Sequence, residues 1–406
     1  MCAVHQRSRL QKLLVAWACA TALAAVSIPA HAQAPALFSK EWVAQQLARE
    51  KTVNLYWPGA QFRKWYSDRL IPSYRKWVNE TYGVDVDVRV LSTGGGDASF
   101  FQMLTAYEEA NPGGGKTFSI DVVRAAPTIE LMTQVEKGWF LPLLPDHQAL
   151  LPAMTGVNRP GLDIFTYERK VWAVPVYQPT TSMFYNAEKV PNPPKSLDAL
   201  RDWIKANPRR FTYEDPRTGT GIGSGSLFLI TVMRHYGDMN DLNSWSRAWA
   251  YLKEIQPHVY PQPTTGEQML ELLRRGEVYL MPFWNDWGLF AKKDLNIPFM
   301  QNYFLQDGHP LRNTPLAVSR SAAHPIGALL FINHALTDAM QRDIATTMRQ
   351  IPSSLVPGVW QGLPQDTFGF DLETIKRSTF AAFNSRVNME AIQQMSRLFG
   401  PQVLGK

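Results

Sequence analysis

The sequence predicts an α/β protein of two lobes, each a mostly parallel sheet flanked by helices. Three observations predict it. Strand-like and helix-like stretches alternate along most of the chain, the pattern of repeated β-α-β units. The chain has 406 residues, more than a single hydrophobic core usually organises. A Pro-rich stretch, Val190-Pro191-Asn192-Pro193-Pro194, then breaks the alternation and marks a crossing between lobes.

The elements follow in order. Thr52 to Trp57 is a buried strand closed by Pro58-Gly59. A helical face of Phe62, Trp65 and Tyr66 continues to Trp77-Val78, with Pro72 as an interruption and Gly83 as its C-terminal stop. Val84, Val86, Val88 and Val90 alternate with Asp85, Asp87 and Arg89, a strand with one wet face. The loop Ser92-Thr93-Gly94-Gly95-Gly96-Asp97 opens a helix with Phe100, Met103, Leu104 and Tyr107 on one side and Asp97 as N-cap. Phe118 to Arg124 is a third strand, and Thr128 to Lys137 a helix ended by Gly138. Val171 to Val176 and Ser182 to Tyr185 are further strands. Ser196 caps a helix over Leu197 to Ala206. Beyond it come the strand Arg210 to Tyr213, helices Ser226 to Tyr236, Trp245 to Ile255 and Glu267 to Arg275, and the strand Glu277 to Phe283. Thr314 to Ser319 returns as a strand, followed by the apolar helix Ile326 to Leu336.

The first 32 residues have the character of an export signal. Arg7, Arg9 and Lys12 precede an uncharged apolar run, Leu13 to Ile28, and Ala30-His31-Ala32 presents small residues for cleavage before Gln33. The run is short for a membrane span. A lipid anchor at Cys19 is the weaker alternative, because Trp17 stands where a small residue is preferred. Cleavage leaves 406 − 32 = 374 residues and removes both cysteines, Cys2 and Cys19. Disulfides, thiolate metal sites and cysteine nucleophiles are then excluded. The charge after cleavage is (41 − 3) − 35 = +3, too small to point to nucleic acid or an anionic membrane. An exported chain also argues against chemistry that needs ATP or NAD.

Several motifs fail. Gly114-Gly115-Lys116-Thr117 lacks the first glycine of a phosphate-binding loop, with Ala110 in its place. Gly219 to Ser224 lacks the last glycine of a dinucleotide fingerprint. Ser224 has Ile222 where a hydrolase elbow needs glycine. The eight histidines show no ligand spacing, so no metal is expected, and no cofactor or catalytic group is assigned.

Two constellations survive. Ser92-Thr93-Gly94-Gly95 and Gly221 to Ser226 each lie between a strand and a helix, where free amides and hydroxyls could hold an anionic or polar group; plain helix capping is the alternative. Phe283-Trp284-Asn285-Asp286-Trp287 ends a strand of the second lobe, where open α/β sheets bind ligands. Aromatics beside a carboxylate suit a cation, with Trp57 as an opposing face, and Tyr177 and Tyr185 flank the lobe crossing. Core packing is the alternative, and for Phe283 the better one.

The ordered series Asn54-Leu55-Tyr56-Trp57, Val88 to Phe101, Lys170 to Pro175, Phe184-Tyr185-Asn186, Pro193-Pro194, Asp215-Pro216 with the Gly/Ser run to Ser226, and Pro315 to Val318 with Phe331-Ile332-Asn333 resembles the periplasmic solute-binding proteins of ABC importers. The branch is the one that includes binders of iron, polyamines, thiamine and phosphonates. The resemblance implies a type II two-lobed clamp with a hinge, a ligand held between lobes, and delivery to an inner-membrane ABC permease by a monomeric, non-enzymatic protein. It assigns 33–180 with 310–345 to lobe 1, and 186–305 with 350–406 to lobe 2. The implied ligand-binding residues are Trp57, Ser92, Thr93, Tyr177, Tyr185, Ser224, Ser226, Trp284 and Asp286. The tyrosine pair of the iron binders is not found. Aromatics with Asp286 point to a thiamine- or polyamine-like cation, the Gly/Ser loops to a phosphate or carboxylate, and a zwitterionic or phosphorylated solute would satisfy both. The competing readings are a secreted hydrolase on the same fold and a ligand-sensing subunit of a membrane receptor. A thiamine-cleaving relative would need a cysteine, which the exported chain lacks.

Overall fold

The computed structural model describes residues 35–57, 63–92, 96–112, 115–157, 162–218, 223–364 and 367–405. The expected export signal therefore lies outside the described residues, as do Thr93, Gly94 and Gly95 and the Gly219 to Ile222 part of the second Gly/Ser run. Phe38–Lys406 forms one compact unit.

The strands are β1 (Thr52–Tyr56), β2 (Asp87–Leu91), β3 (Val122–Arg124), β4 (Thr166–Tyr167), β5 (Lys170–Val171), β6 (Val174–Gln178), β7 (Thr181–Asn186), β8 (Leu280–Trp284), β9 (Met300–Tyr303), β10 (His309–Leu311), β11 (Thr314–Val318), β12 (Ile351–Pro352) and β13 (Thr379–Ala381). Six of them form a sheet in the order β12-β6-β11-β3-β1-β2. β2, β1 and β3 run parallel, while β11 is antiparallel to both β3 and β6. β6 therefore runs with the parallel strands, and their C-terminal ends share one edge. Both faces of β1 are packed: Val53 and Leu55 are fully buried on one, Tyr56 on the other. The N-terminal helix Lys40–Glu50 and the apolar helix Pro325–Ala335 cover one of them. Glu50 joins the two by accepting hydrogen bonds from the Ile326 and Gly327 amides, 3.1 and 2.8 Å, at the start of the second helix.

A three-stranded sheet, β8-β7-β9, forms the second layer system. Here the mostly parallel expectation gives way: β7 is antiparallel to both β8 and β9, and the Phe211–Leu280 bridge is a parallel contact at its margin. The reason is connectivity. β7 follows β6 after two residues, so it enters the second sheet as a continuation of the first. The segment expected as a strand over Arg210 to Tyr213 contributes only that bridge and its neighbouring amide contacts.

Helix boundaries follow local chemistry. The Leu197–Ala206 helix begins after Ser196, whose hydroxyl accepts from the Ala199 amide. Gly83 (φ 69°) ends the Ile71–Tyr82 helix in the left-handed conformation that favours glycine. Pro72 sits in the first turn of that helix instead of interrupting it, where its missing N–H is harmless; a five-residue π-helical turn, Tyr66–Leu70, precedes it. The helix after β2 begins at Gly96, which puts Asp97 inside the first turn and not at the cap.

Division of the chain into lobes remains a proposal. The pairing of Ile351–Pro352 with β6 argues for starting the C-terminal share of the second lobe after that strand.

Candidate functional site

Two segments connect the sheets, and a third segment lies beside them. The first is Gln178 to Thr181 between β6 and β7. The second runs from β10 through Arg312 and Asn313 into β11, with the Arg312 amide donating to the Pro179 carbonyl at 2.9 Å and the Thr180 hydroxyl to the Pro310 carbonyl at 2.9 Å. The third is Gln350 leading into β12, which pairs with β6 through Ile351 and Gln178. Polar side chains at these crossings are buried and paired. The Gln178 amide donates to Asn313 Oδ1 at 2.6 Å. Gln341 donates to the Val176 and Ala335 carbonyls, and its Oε1 accepts from the Ser353 hydroxyl and the Ser354 amide. Such satisfied networks fix one geometry, because an unpaired buried polar group is costly.

The same place collects functional side chains. The C-terminal edge of the large sheet presents Trp57 after β1, Ser92 after β2, Arg124 at the end of β3 and Tyr177 in β6; β8 of the small sheet ends at Trp284, and Asn285 and Asp286 open the following helix. This is the edge at which open α/β sheets bind ligands. Two guanidinium groups lie on two indoles: Arg124 is 4.5 Å from the Trp57 ring centroid and Arg312 is 5.1 Å from that of Trp284. Both arginines are half-buried.

Asp286 is 5% exposed. Gln350 donates to its Oδ2 at 2.8 Å, and Asn285 beside it donates its backbone amide to the Thr180 carbonyl at 3.0 Å. Burial pushes the Asp286 carboxyl up to about 7, against the pull of the Trp287 amide and Arg312. Burial likewise raises the Tyr177 hydroxyl, with Arg124 the largest opposing influence.

The residues expected to bind ligand fare differently. Tyr177, Trp284 and Asp286 meet at the sheet junction. Trp57 reaches it but is 1% exposed, packed 4.2 Å from the Tyr66 ring; its face takes Arg124 where a ligand cation was expected. Ser92 lies exposed at the same edge. Tyr185 pairs in register with Leu280, at the far end of β7 from Thr181 and Trp284, and packs on Tyr303. It belongs to the second sheet's interior flank. Ser224 and Ser226 are fully buried. The Ser224 amide and hydroxyl donate to Glu214 Oε2 at 2.8 and 2.6 Å, and the Ser226 hydroxyl to the Pro216 carbonyl. The anion at this helix start is the protein's own carboxylate, which is the capping alternative.

Arg124, Arg312 and Gln350 were missed. Arg124 and Arg312 stand at strand ends on the ligand-binding edge, so the rule that singled out Trp57 and Trp284 could have found them. Among the described residues no group of three His, Asp or Glu side chains is arranged to hold a metal. Two surface grooves, of about 660 Å³ beside Phe101 and Gln134 and about 460 Å³ beside Tyr260 and Glu271, contain none of the expected ligand-binding residues. No helix among the described residues is long and apolar enough to cross a membrane.

Comparison with known proteins places this geometry. Solved structures share the fold at low identity. A protein from Bordetella parapertussis described as an extracellular solute-binding protein superposes with a TM-score of 0.66 at 14% identity, covering 87% of this chain and 99% of its own. A spermidine/putrescine ABC transporter substrate-binding protein from Streptococcus pneumoniae gives 0.61 at 14%, covering 86% and 99%. The apo ferric ion-binding protein A of Pasteurella haemolytica gives 0.60 at 12%, covering 87% and 98%. The architecture is thus the α/β type II periplasmic-binding fold. No curated protein matches the chain in sequence. The family profile of bacterial extracellular solute-binding proteins, however, matches residues 102–356, more than half of the chain, including both crossings, Arg124, Asp286 and Arg312: the chain belongs to the bacterial extracellular solute-binding protein family of ABC transporters.

Proposed function

We propose that this protein captures a small polar organic solute at the junction of its two sheets, outside the cytoplasm, and hands it to an inner-membrane ABC permease. The observation that supports this most is the convergence of the large sheet's C-terminal edge and the end of β8 on two adjacent crossing segments. Segments of this kind can bend with small changes in a few backbone angles. A solute touching both sheets then favours the closed arrangement by its extra contacts there. The protein acts as a monomer, and its ligand leaves unchanged.

The ligands named for structural relatives span polyamine and ferric ion, so the fold does not choose among them. A thiamine- or polyamine-like cation relied on open faces of Trp57 and Trp284, and these carry Arg124 and Arg312. That arrangement removes the main support for a cationic solute.

Mass spectrometry of small molecules released by denaturing the purified protein tests the reading directly, together with thermal melting in the presence of each released compound. A ligand at 100 times its dissociation constant stabilises the folded chain by about 2.7 kcal/mol. Release of a compound that restores this stabilisation, unaltered after incubation, is the expected result. Conversion of the compound to product would instead favour a secreted hydrolase.

A further inference from the structure

We infer that the C-terminal helix Arg386–Phe399 is a latch between the two lobes, fastened by the ion pair of Arg386 with Glu136. The inference rests on the solute-binding reading, in which the sheets close on one another, and names a contact that regulates that closure.

The two helices belong to different sheets. The Ile129–Glu136 helix follows β3 and packs with the large sheet: Gln134 Nε2 donates to the Phe101 carbonyl at 2.9 Å, in the helix after β2. The Arg386–Phe399 helix is anchored on the small sheet's side. Its Asn388 donates to the Met239 carbonyl at 3.3 Å, and the Ser385 hydroxyl just before it donates to Asn240 Oδ1 at 2.9 Å. Phe399 packs 6.2 Å from the Tyr213 ring, two residues beyond the Phe211 bridge to β8. Met389, Ile392, Met395 and Phe399 form the buried stripe of this helix, and they share one apolar cluster with Leu131 and Val135 of the other. Glu136 follows Val135, and Arg386 precedes Met389 by about a turn, so the ion pair lies beside that apolar contact. The two crossings join the lobes through the backbone. This contact joins them through side chains, which can part.

The placement of charge supports the same reading. Arg386 is the first residue of its helix, where the dipole favours an anion; Glu136 is the last of its own, where the dipole favours a cation. Each charge is unfavourable for the helix that carries it, and each is relieved by the other. Local rules broken in this way mark residues that serve a longer-range contact. Glu136 is the chief influence raising the Arg386 guanidinium, ahead of Glu390 on the same helix. Both partners are partly exposed, so the pair biases an equilibrium, by about two- to fivefold, without locking it. A solute's contacts with both sheets then complete the closure. Raising the closed fraction before solute arrives raises the apparent affinity by the same factor.

The experiment compares exhaustively dialysed wild type with Arg386→Gln, Glu136→Gln, the double variant and Arg386→Lys. Small-angle X-ray scattering and hydrogen exchange are the readouts, with circular dichroism to establish folding. Each glutamine variant should show a larger radius of gyration. Exchange at Gln178 to Thr181, Arg312 and Asn313 should be about two- to fivefold faster, with β1 unchanged. The double variant should open no further than either single one, because both remove the same pair, and Arg386→Lys should stay near wild type. Sodium chloride at about 1 M should loosen the wild type and leave the glutamine variants where they are. Identical scattering and exchange in all variants would overturn the latch. So would faster exchange spread through β1, which marks general destabilisation. Neither readout involves a solute, so this failure leaves the solute-binding reading intact; that reading fails separately, if no small molecule is released from the purified protein. Should a glutamine variant fail to fold, the salt series on wild type and Arg386→Lys still decides.

Discussion

At the scale of single residues, the decisive observation is that cation–aromatic contacts form within the protein. Trp284 and Asp286 look from the sequence like a cation site, because aromatics and a carboxylate share one segment. Distant residues complete the picture: Arg312 lies on Trp284, and Gln350 hydrogen-bonds Asp286. Burial makes Asp286 a weak acid, at about 7 against an ordinary 3.8. The folded protein therefore holds a proton that the unfolded chain loses between those values. Its contribution to stability is full below pH 3.8 and fades as pH rises through 7. The difference between the two values is worth at most about 4 kcal/mol. Asp286→Asn should remove this decline, so that melting temperatures of variant and wild type diverge between pH 4 and 7 in favour of the variant; parallel curves would show that Asp286 ionises freely.

At the scale of elements, the Ser224–Tyr236 helix shows how a motif can be read correctly and assigned wrongly. A Gly/Ser run before a helix does offer free amides. Glu214 folds back ten residues and takes the Ser224 amide and hydroxyl. Glycine is needed here for close approach: a Cβ on Gly225 would sit 1.7 Å from the Glu214 carbonyl oxygen. Ser224→Ala is expected to cost about 1 kcal/mol of stability, the usual net worth of one lost hydrogen bond, without weakening ligand binding. A calorimetric titration showing lost affinity at unchanged stability would restore this loop as a binding element. Gly225→Ala should be more damaging, about 1–3 kcal/mol or beyond, as overpacking against backbone cannot relax easily; chemical denaturation measures both variants.

At the scale of the whole molecule, the two crossings and the Gln350 segment beside them concentrate function and fragility. Gln178 to Thr181 and Arg312 with Asn313 are held by hydrogen bonds among themselves, and Gln350 by its bond to Asp286. Ligand that closes the sheets on one another should slow hydrogen exchange in these segments more than in β1 or the Pro325–Ala335 helix. Equal slowing everywhere would point to rigid binding without closure. Acid should unfold the protein through His309 and His334. Desolvation lowers them to about 3 and about 4 from an ordinary 6.5. Each stays neutral when folded and takes a proton on unfolding, so stability is full above pH 6.5 and falls as pH drops below it. For His309 alone the loss reaches roughly 3 kcal/mol by pH 4. His309 is fixed in its neutral form by the Leu305 amide, which donates to Nε2 at 3.1 Å, and by Thr181 at Nδ1. His309→Gln should melt lower at pH 7.5 yet lose less on acidification.

The sequence by itself determined what local chemistry controls. Periodicity placed β1, β11 and the Pro325–Ala335 helix to within a residue or two. Ser196 marked the start of a helix, and Gly83 the end of one, through caps that act over three or four positions. The order of these pieces sufficed for the fold class and the family. Only the tertiary structure decided the site. Arg124 and Trp57 are 67 positions apart, and Gln350 and Asp286 64 apart. Which side chain faces which ligand depends on pairings that no local signal encodes. The antiparallel second sheet has the same cause: the two-residue step from β6 into β7 sets the strand's direction, and only the partners found by folding reveal it.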